Sequence, residues 1–347
     1  MLLFAEGFDG IGPTGTPEYE AYLFDYVATS YCAFSTNYGR LDIGAQISTL
    51  PSIGKIISMS GSTLIMGIAI KRVSVVPLSD GHVYNEYLTF FSAGAGSTPQ
   101  ITVTLDSTGT ELQIRGGDYN DTVLATSAFN QVVGDWYYLE LKIVFNSSGS
   151  VEMKIDGSVV ASATGVNTDI GETGTCGYIE LGANSSYHLE HIDDWYICDA
   201  TGSYNNTYLG DVWVKVAVPT SDGVDQDFAY STGSDGYALV DEIPPAAADY
   251  VVGDAVGERF SVGVTASDDG RSIFGIVVNQ IDLNTDAGTR GFKQFVNNAA
   301  TEVQSAGKSA NITPHRRSFV VERDPDSGGA WTPALINSAE FGVEITS

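Results

Sequence analysis

Basic residues are scarce in this chain. Its 347 residues hold 43 Asp and Glu but only 16 Lys and Arg, a formal net charge of −27. A nucleic-acid binder neutralises phosphates with clustered Lys and Arg, so that class is excluded. Attachment to an anionic membrane surface is excluded on the same ground. Long apolar runs are missing as well. The longest, Leu64–Ile70, falls far short of a membrane span. The first residues, MLLFAEGFDG, have no basic flank and too short an apolar run for a secretory signal. The chain is therefore expected to fold in a cytoplasm without export. Cysteine is sparse: Cys32, Cys176 and Cys198 form an odd set without metal-ligand spacing, expected to be buried free thiols. Helical periodicity is almost absent. Short helices are expected only at Ser48–Lys55 and at Thr332–Ala339, where Thr332 caps and Pro333 suits the first turn.

What is present points to β-structure. The apolar share of 43% and the aromatic share of 11% are too high for a disordered chain. Thirty-nine glycines mark frequent turns. The clearest segment is 134–165, GDWYYLELKIVFNSSGSVEMKIDGSVVASATG. There Tyr137, Leu139, Leu141, Ile143 and Phe145 alternate with Tyr138, Glu140, Lys142 and Val144, the period of a strand with one buried face. Val151, Met153 and Ile155 repeat the pattern. Asp156-Gly157 then supplies a two-residue hairpin turn before SVVASA. Further strands are expected at Thr63–Ile70, Tyr87–Ser92, Ile101–Leu105, Glu111–Arg115, Gly177–Leu181 and Asp193–Cys198. Their spacing suits a sandwich or jelly roll.

The turn-rich TGSYNNTYL places a boundary near residue 204. Both sides are acidic, with 7 basic and 23 acidic residues in 1–204 and 9 and 20 beyond. The second part is expected to be a smaller β-sandwich. It opens with a strand at Asp211–Val218 and a long irregular stretch, 219–258, that wraps over the first domain or a neighbouring subunit. Strands then follow at Arg259–Ala266, Ser272–Ile281, Gly291–Asn297, Arg317–Arg323 and Phe341–Ile345.

The run from Trp136 through Asp156-Gly157 to Gly177-Tyr178-Ile179-Glu180-Leu181-Gly182 resembles the concanavalin A-like, laminin-G-like jelly roll. Glu6-Gly7-Phe8-Asp9 and Ile192-Asp193-Asp194-Trp195-Tyr196-Ile197 fit the two terminal strands that pair in such folds. The expected fold is thus an all-β chain, with a jelly roll over 1–203 and a small β-rich domain over 204–347. A second resemblance covers most of 190–347. The segments DDWYICDATGSYNNTYLGDVWV, YALVDEIPP, DAGTRGFKQFV and DPDSGGAWTPALINSAEFGVEI look like virion proteins of tailed bacteriophages. This resemblance implies a place in a particle and not a reaction.

Carboxylates at alternate positions of one strand serve many glycosidases on this fold, as nucleophile and general acid. Glu152-Met153-Lys154-Ile155-Asp156 is the nearest match and puts Lys154 in the middle. In Glu190-His191-Ile192-Asp193-Asp194, Glu190 and Asp194 keep the outer spacing while Ile192 replaces the central carboxylate. Glu152, Glu190 and Asp194 are the only candidates for a depolymerase. No Gly-x-Ser-x-Gly elbow and no phosphate loop is present. His188 and His191, three apart on a strand, point to opposite faces and do not share a metal.

Of the ions calcium fits best, by analogy with laminin-G-like domains that bind it near the sandwich rim, the alternative being carboxylates that only stabilise turns. Asp9, Asp193 and Asp194 are its candidate ligands. Tyr119, Tyr187, Tyr204 and Tyr208 lie in polar loops, where they suit a protein interface or a sugar-stacking platform. Trp136, Trp195 and Trp213 sit in strand patterns and are expected in the core.

The function expected from these readings is a non-enzymatic structural component of a tailed-phage virion, assembled in the host cytoplasm. Tail association (fibre, collar or peripheral tail protein) comes first, and capsid decoration and a host-glycan-binding adhesin are the alternatives. Expected partners are further copies of the chain, other virion proteins and host-surface polysaccharide. Like-charged subunits repel, so assembly is expected to depend on salt or divalent ions.

Overall fold

The computed structural model describes residues 1–11, 25–27, 32–40, 43–47, 53–73, 85–94, 96–106, 111–127, 129–182, 190–285 and 288–347. The chain divides into two compact units, Met1–Val214 and Lys215–Ser347. Their regular structure is almost wholly β-strand, as expected, in a β-sandwich of jelly-roll type followed by a smaller β-unit.

The first unit begins with β1 (Leu2–Glu6), β2 (Tyr26–Val27), β3 (Cys32–Ser35), β4 (Gly44–Ile47), β5 (Ile53–Ile56), β6 (Thr63–Arg72) and β7 (Asn85–Phe91). It continues with β8 (Pro99–Leu105), β9 (Leu112–Gly116), β10 (Thr122–Thr126), β11 (Trp136–Val144), β12 (Gly149–Ile155), β13 (Ser158–Val166), β14 (Tyr178–Leu181) and β15 (Glu190–Asp199). One sheet runs β13-β12-β11-β6-β15-β4-β3, with β1 also beside β15. The other runs β10-β9-β8-β7-β14-β5-β2. The terminal strands pair, Glu6 opposite Trp195 and Phe4 opposite Ile197.

The alternation in β11 and β12 sends Leu139, Leu141, Ile143, Val151 and Met153 into the core between the sheets. They meet Leu64, Met66 and Ile68 of β6 and Ile101, Val103 and Ile179 of the facing sheet. Asp156 and Gly157 both adopt positive φ, 49° and 77°, the conformation that the two-residue turn requires. All three cysteines are buried thiols.

β15 carries an irregularity that alternation alone would not show. Asp194 adopts φ of 50°, and the pairing with β6 slips between Asp193 and Tyr196. One extra residue resets the period of two. His191, Asp193, Tyr196 and Cys198 therefore share the outward face, while Ile192, Trp195 and Ile197 point into the core. At the same place the partner of β15 changes from β4 to β1.

Four expectations change. Ile53–Lys55, read as the end of a helix, lies in strand β5, because Ile53 packs in the core and the segment pairs with β14. Asp211–Val218 is not a strand: the Val214 amide donates to the Asp194 side chain of β15 and the Val212 carbonyl accepts from the Arg40 side chain, in place of strand pairing. For the same reason the first unit closes after Val214, beyond the boundary expected near residue 204. The stretch 219–258 is not structureless. It holds β16 (Pro219–Gln226), β17 (Ala229–Tyr230) and β18 (Val251–Val252).

The second unit adds β19 (Arg259–Val264), β20 (Ile276–Asp282), β21 (Gly291–Asn298), β22 (Thr301–Gln304), β23 (Lys308–Ser309), β24 (His315–Val321) and β25 (Glu340–Ile345). Its main sheet runs β16-β19-β25-β21-β22 with β23 beside β21, and β20 and β24 form a separate two-stranded ribbon. Helix α1 (Pro333–Ser338) forms as expected, with Thr332 Oγ1 accepting from the Leu335 amide. The core gathers Phe228, Phe260, Val262, Val296, Trp331, Ile336 and Phe341.

Candidate functional site

The outward face of the first sheet carries a dense set of polar groups. Its rows are fixed by strand register. In one row Gln46 of β4, His191 of β15, Lys71 of β6 and Trp136 of β11 are successive cross-strand partners. Neighbouring strands lie about 4.8 Å apart, so these four side chains share a short polar stripe. Tyr38 joins them, its ring centroid 4.6 Å from that of His191.

His191 is buried, with 6% relative exposure. Gln46 Nε2 lies 3.3 Å from its Nε2. Its Nδ1 has no hydrogen-bond partner among the described residues. Burial, helped by the nearby Lys71 charge, pushes the His191 pKa down to about 4. The ring is therefore neutral at pH 7 and keeps one polar atom uncommitted. Lys71 is half-buried, its Nζ 5.8 Å from the Trp136 ring centroid. Among the described residues no carboxylate lies within ion-pair distance of it, although the chain carries 43 of them.

Beyond this row the face is sealed. Tyr138, Glu140 and Tyr196, which alternation places opposite the core, are also buried. The two tyrosine rings stack 6.4 Å apart over Gly67, where any side chain would collide with both. Residues 208–214 lie across them as a strap. Tyr196 Oη donates to Glu140 Oε1 at 2.7 Å, and the Gly210 amide donates to the same oxygen at 2.9 Å. The Leu209 amide donates to Tyr196 Oη, and Tyr208 Oη donates to the Glu152 carbonyl. The Val214 amide donates to Asp194 Oδ1 at 2.7 Å.

Arg40 pins the strap. Its guanidinium reaches Asp194 Oδ2 at 3.1 Å, both Asp211 oxygens at 2.7 and 2.9 Å, and the Val212 carbonyl. It also lies 4.8 Å from the Trp213 ring centroid. Burial drives the Asp193 and Asp194 carboxyls upward from the usual range, Asp193 further because Asp194 faces it.

The expected calcium ligands are placed in this region. Asp9 Oδ1 accepts from the Ile43 amide, and Asp193 accepts from the Arg40 and Asp194 amides. Together with the Asp194 bonds above, these protein donors occupy oxygens that a cation would need. No group of three or more His, Cys, Asp or Glu among the described residues is positioned to hold a metal ion.

The loop tyrosines scatter. Tyr119 is half-buried in the turn after β9, and Tyr204 is exposed. Tyr208 belongs to the strap, with Lys154 Nζ 3.9 Å from its ring centroid. Tyr187 and His188 lie outside the described residues, as does the side chain of Glu190. Of the three tryptophans expected in the core, Trp195 is there, while Trp136 and Trp213 sit half-buried on the outward side. Glu152 lies on the outward face of β12, half-buried, its carbonyl engaged by Tyr208.

The outward face of the second sheet is polar too, yet largely self-satisfied. Arg115 bonds Thr104, Gln113 and the Asp121 carbonyl, and Thr102 bonds the Gly117 carbonyl. Gln100 Oε1 has no hydrogen-bond partner among the described residues, and Glu180 stands out for its titration. Burial alone pushes its carboxyl up to about 7.

No family model matches the chain, and no curated protein does. Among solved structures, an endo-β-1,4-glucuronan lyase from the fungus Trichoderma reesei covers 57% of this chain and 95% of its own, at 14% identity and a TM-score of 0.39. The alginate lyase Aly36B covers 56% and 96%, at 11% identity and a TM-score of 0.40. The cellulose-induced protein Cip1 covers 52% and 88%, at 13% identity and a TM-score of 0.38. At these values the likeness is one of β-sandwich architecture, with no residue-level correspondence. These neighbours nevertheless overturn the expectation of a chain without catalytic function. Two of the solved structures it is similar to are polysaccharide lyases.

Proposed function

We propose that the first unit recognises a polysaccharide bearing carboxylate groups, through the outward face of its first sheet at His191 and Lys71. One observation carries this reading: among the described residues, a neutral, buried histidine with an uncommitted nitrogen adjoins a lysine without a carboxylate partner, flanked by the Tyr38 and Trp136 rings. Aromatic faces beside polar donors suit a sugar ring, and Lys71 supplies the cation for its carboxylate. The net charge of −27 repels such a ligand at long range, but beyond about 8 Å that repulsion is screened at physiological ionic strength.

Calorimetric titration with polyuronate and with neutral oligosaccharides tests the reading, alongside a reducing-end assay for cleavage. Binding of the acidic ligand by the parent protein is expected, with Lys71→Ala and His191→Ala each weakening it about tenfold or more. No binding of either ligand by the parent protein would overturn it.

A second reading concerns setting. We infer that the chain belongs to the virion of a tailed bacteriophage, tail-associated or else decorating the capsid, in contact with further copies and other virion proteins. The resemblance of 190–347 to such proteins supports it. A virion protein meets host-surface polysaccharide, so the two readings are compatible. Cryo-EM density that places the chain on a particle would test the setting.

A further inference from the structure

The second unit exposes large aliphatic side chains at one end. Three loops meet there. The turn 253–258 is tied to β25 by the Gly257 amide, which donates to the Ile345 carbonyl at 2.9 Å. The start of β21 is tied to the same chain end, the Thr346 amide donating to the Gly291 carbonyl at 2.7 Å. The segment 309–314 joins through the Ala310 amide to the Arg290 carbonyl, and through the Asn284 amide to the Asn311 carbonyl. Arg290 closes the ring with a bond to the Asp254 carbonyl at 3.2 Å. On these loops Val256 is 69% exposed, Leu283 51% and Ile312 78%. Ile281, at the adjoining tip of the ribbon, is 37% exposed. Single exposed aliphatics are ordinary, but several gathered on one end of a small unit mark a contact surface.

The charge around this end says what fits it. The chain as a whole is strongly acidic, yet this end brings Arg290, Arg316 and Arg317 together with Asp254, Glu258 and Asp282, the last paired with Arg317. Arg290 and Arg316, the latter opposite Ile281 in the ribbon, lie beside the apolar residues. Asp254 and Glu258 lie beside them on the neighbouring turn. An end with an apolar centre and both signs on its rim can complement itself. Turned about a two-fold axis, it sets cations of one copy against anions of the other. A copy approaching elsewhere meets mostly like charge.

We propose that this end of the second unit is the contact surface of a symmetric dimer, its occupant the same end of a second copy of the chain. Val256, Leu283 and Ile312 form the apolar centre, and Arg290, Arg316, Asp254 and Glu258 the rim.

Sedimentation velocity over a concentration series tests this on the full chain. The parent protein should associate reversibly to a dimer. Ile312→Asp combined with Val256→Asp should raise the dissociation constant by about tenfold or more while circular dichroism stays unchanged. Both positions are largely exposed, so the fold should tolerate the change. As a second arm, Arg290→Glu with Arg316→Glu should also dissociate the dimer, and adding Asp254→Lys and Glu258→Lys to that variant should restore it. A parent protein that stays monomeric overturns the proposal. So does a dimer unaffected by the apolar substitutions, or a surface that captures another virion protein in place of a second copy.

Discussion

Arg40 shows how one residue can hold a buried acidic cluster together. It faces Asp194 and Asp211 directly, and its own amide is bonded by Asp193. The side chains of Arg40 and Asp194 are 13% and 7% exposed, so the pair sits largely out of water. Removing one partner of such a pair leaves an uncompensated buried charge, which costs roughly 3–5 kcal/mol. Arg40→Ala should lower stability on that scale. The pH dependence follows from the direction of the shifts. Asp193 and Asp194 have folded pKa values raised above their unfolded ones. Their protonated forms therefore suit the fold, and their contribution is lost as pH rises through the folded values. Without the Arg40 guanidinium the Asp194 value rises further, while the Arg40 amide still bonds Asp193, so the variant should lose stability more steeply than the parent as pH rises through the Asp194 value. Denaturant midpoints at several pH values measure this. A parallel offset at every pH would mean that Arg40 acts through packing on Trp213 alone.

At the scale of elements, the strap separates what could be read from the sequence and what could not. The meander β11-β12-β13 was legible because alternation and Asp156-Gly157 are local signals. The same alternation assigns Tyr138 and Glu140 to a polar outer face, and both are buried, because residues 208–214 return across that face from far along the chain. Non-local covering leaves no local trace. The bulge at Asp194 is similar: a strictly alternating reading of 190–198 puts Tyr196 on the wrong face. The His191 row was illegible for the same reason, since Gln46, Lys71, Trp136 and Tyr38 come from four separate places. The one available signal was that a lysine and a histidine, rare types here, each stand at outward positions of neighbouring strands. The strap also makes a prediction. A fragment ending at Val214 should fold with the stability of the first unit, whereas one ending at residue 203 loses the bonds from Tyr208, Leu209, Gly210 and Val214. At roughly 0.5–1.5 kcal/mol for each, the shorter fragment should be less stable by about 2–6 kcal/mol, with Glu140 left without its amide donor. Chemical denaturation of the two fragments decides it, and equal stability would reduce the strap to a surface segment.

For the whole molecule, charge acts at two ranges, and the two ranges oppose each other. Two copies at −27 each repel over distances that depend on salt: the screening length falls from about 30 Å at 0.01 M to about 8 Å at 0.15 M. The rim of the second unit brings opposite charges together only at contact, around apolar groups that salt does not weaken. Raising the ionic strength from very low to physiological therefore removes most of the repulsion before it removes the local attraction. Association should tighten over that interval. Sodium chloride alone should suffice, because screening needs no particular cation, and a chelator at matched ionic strength should leave the dissociation constant unchanged. A constant that is smallest at the lowest salt would show that the rim outweighs the net charge even unscreened. A requirement for calcium at fixed ionic strength would show that a bound ion, and not screening, overcomes the repulsion.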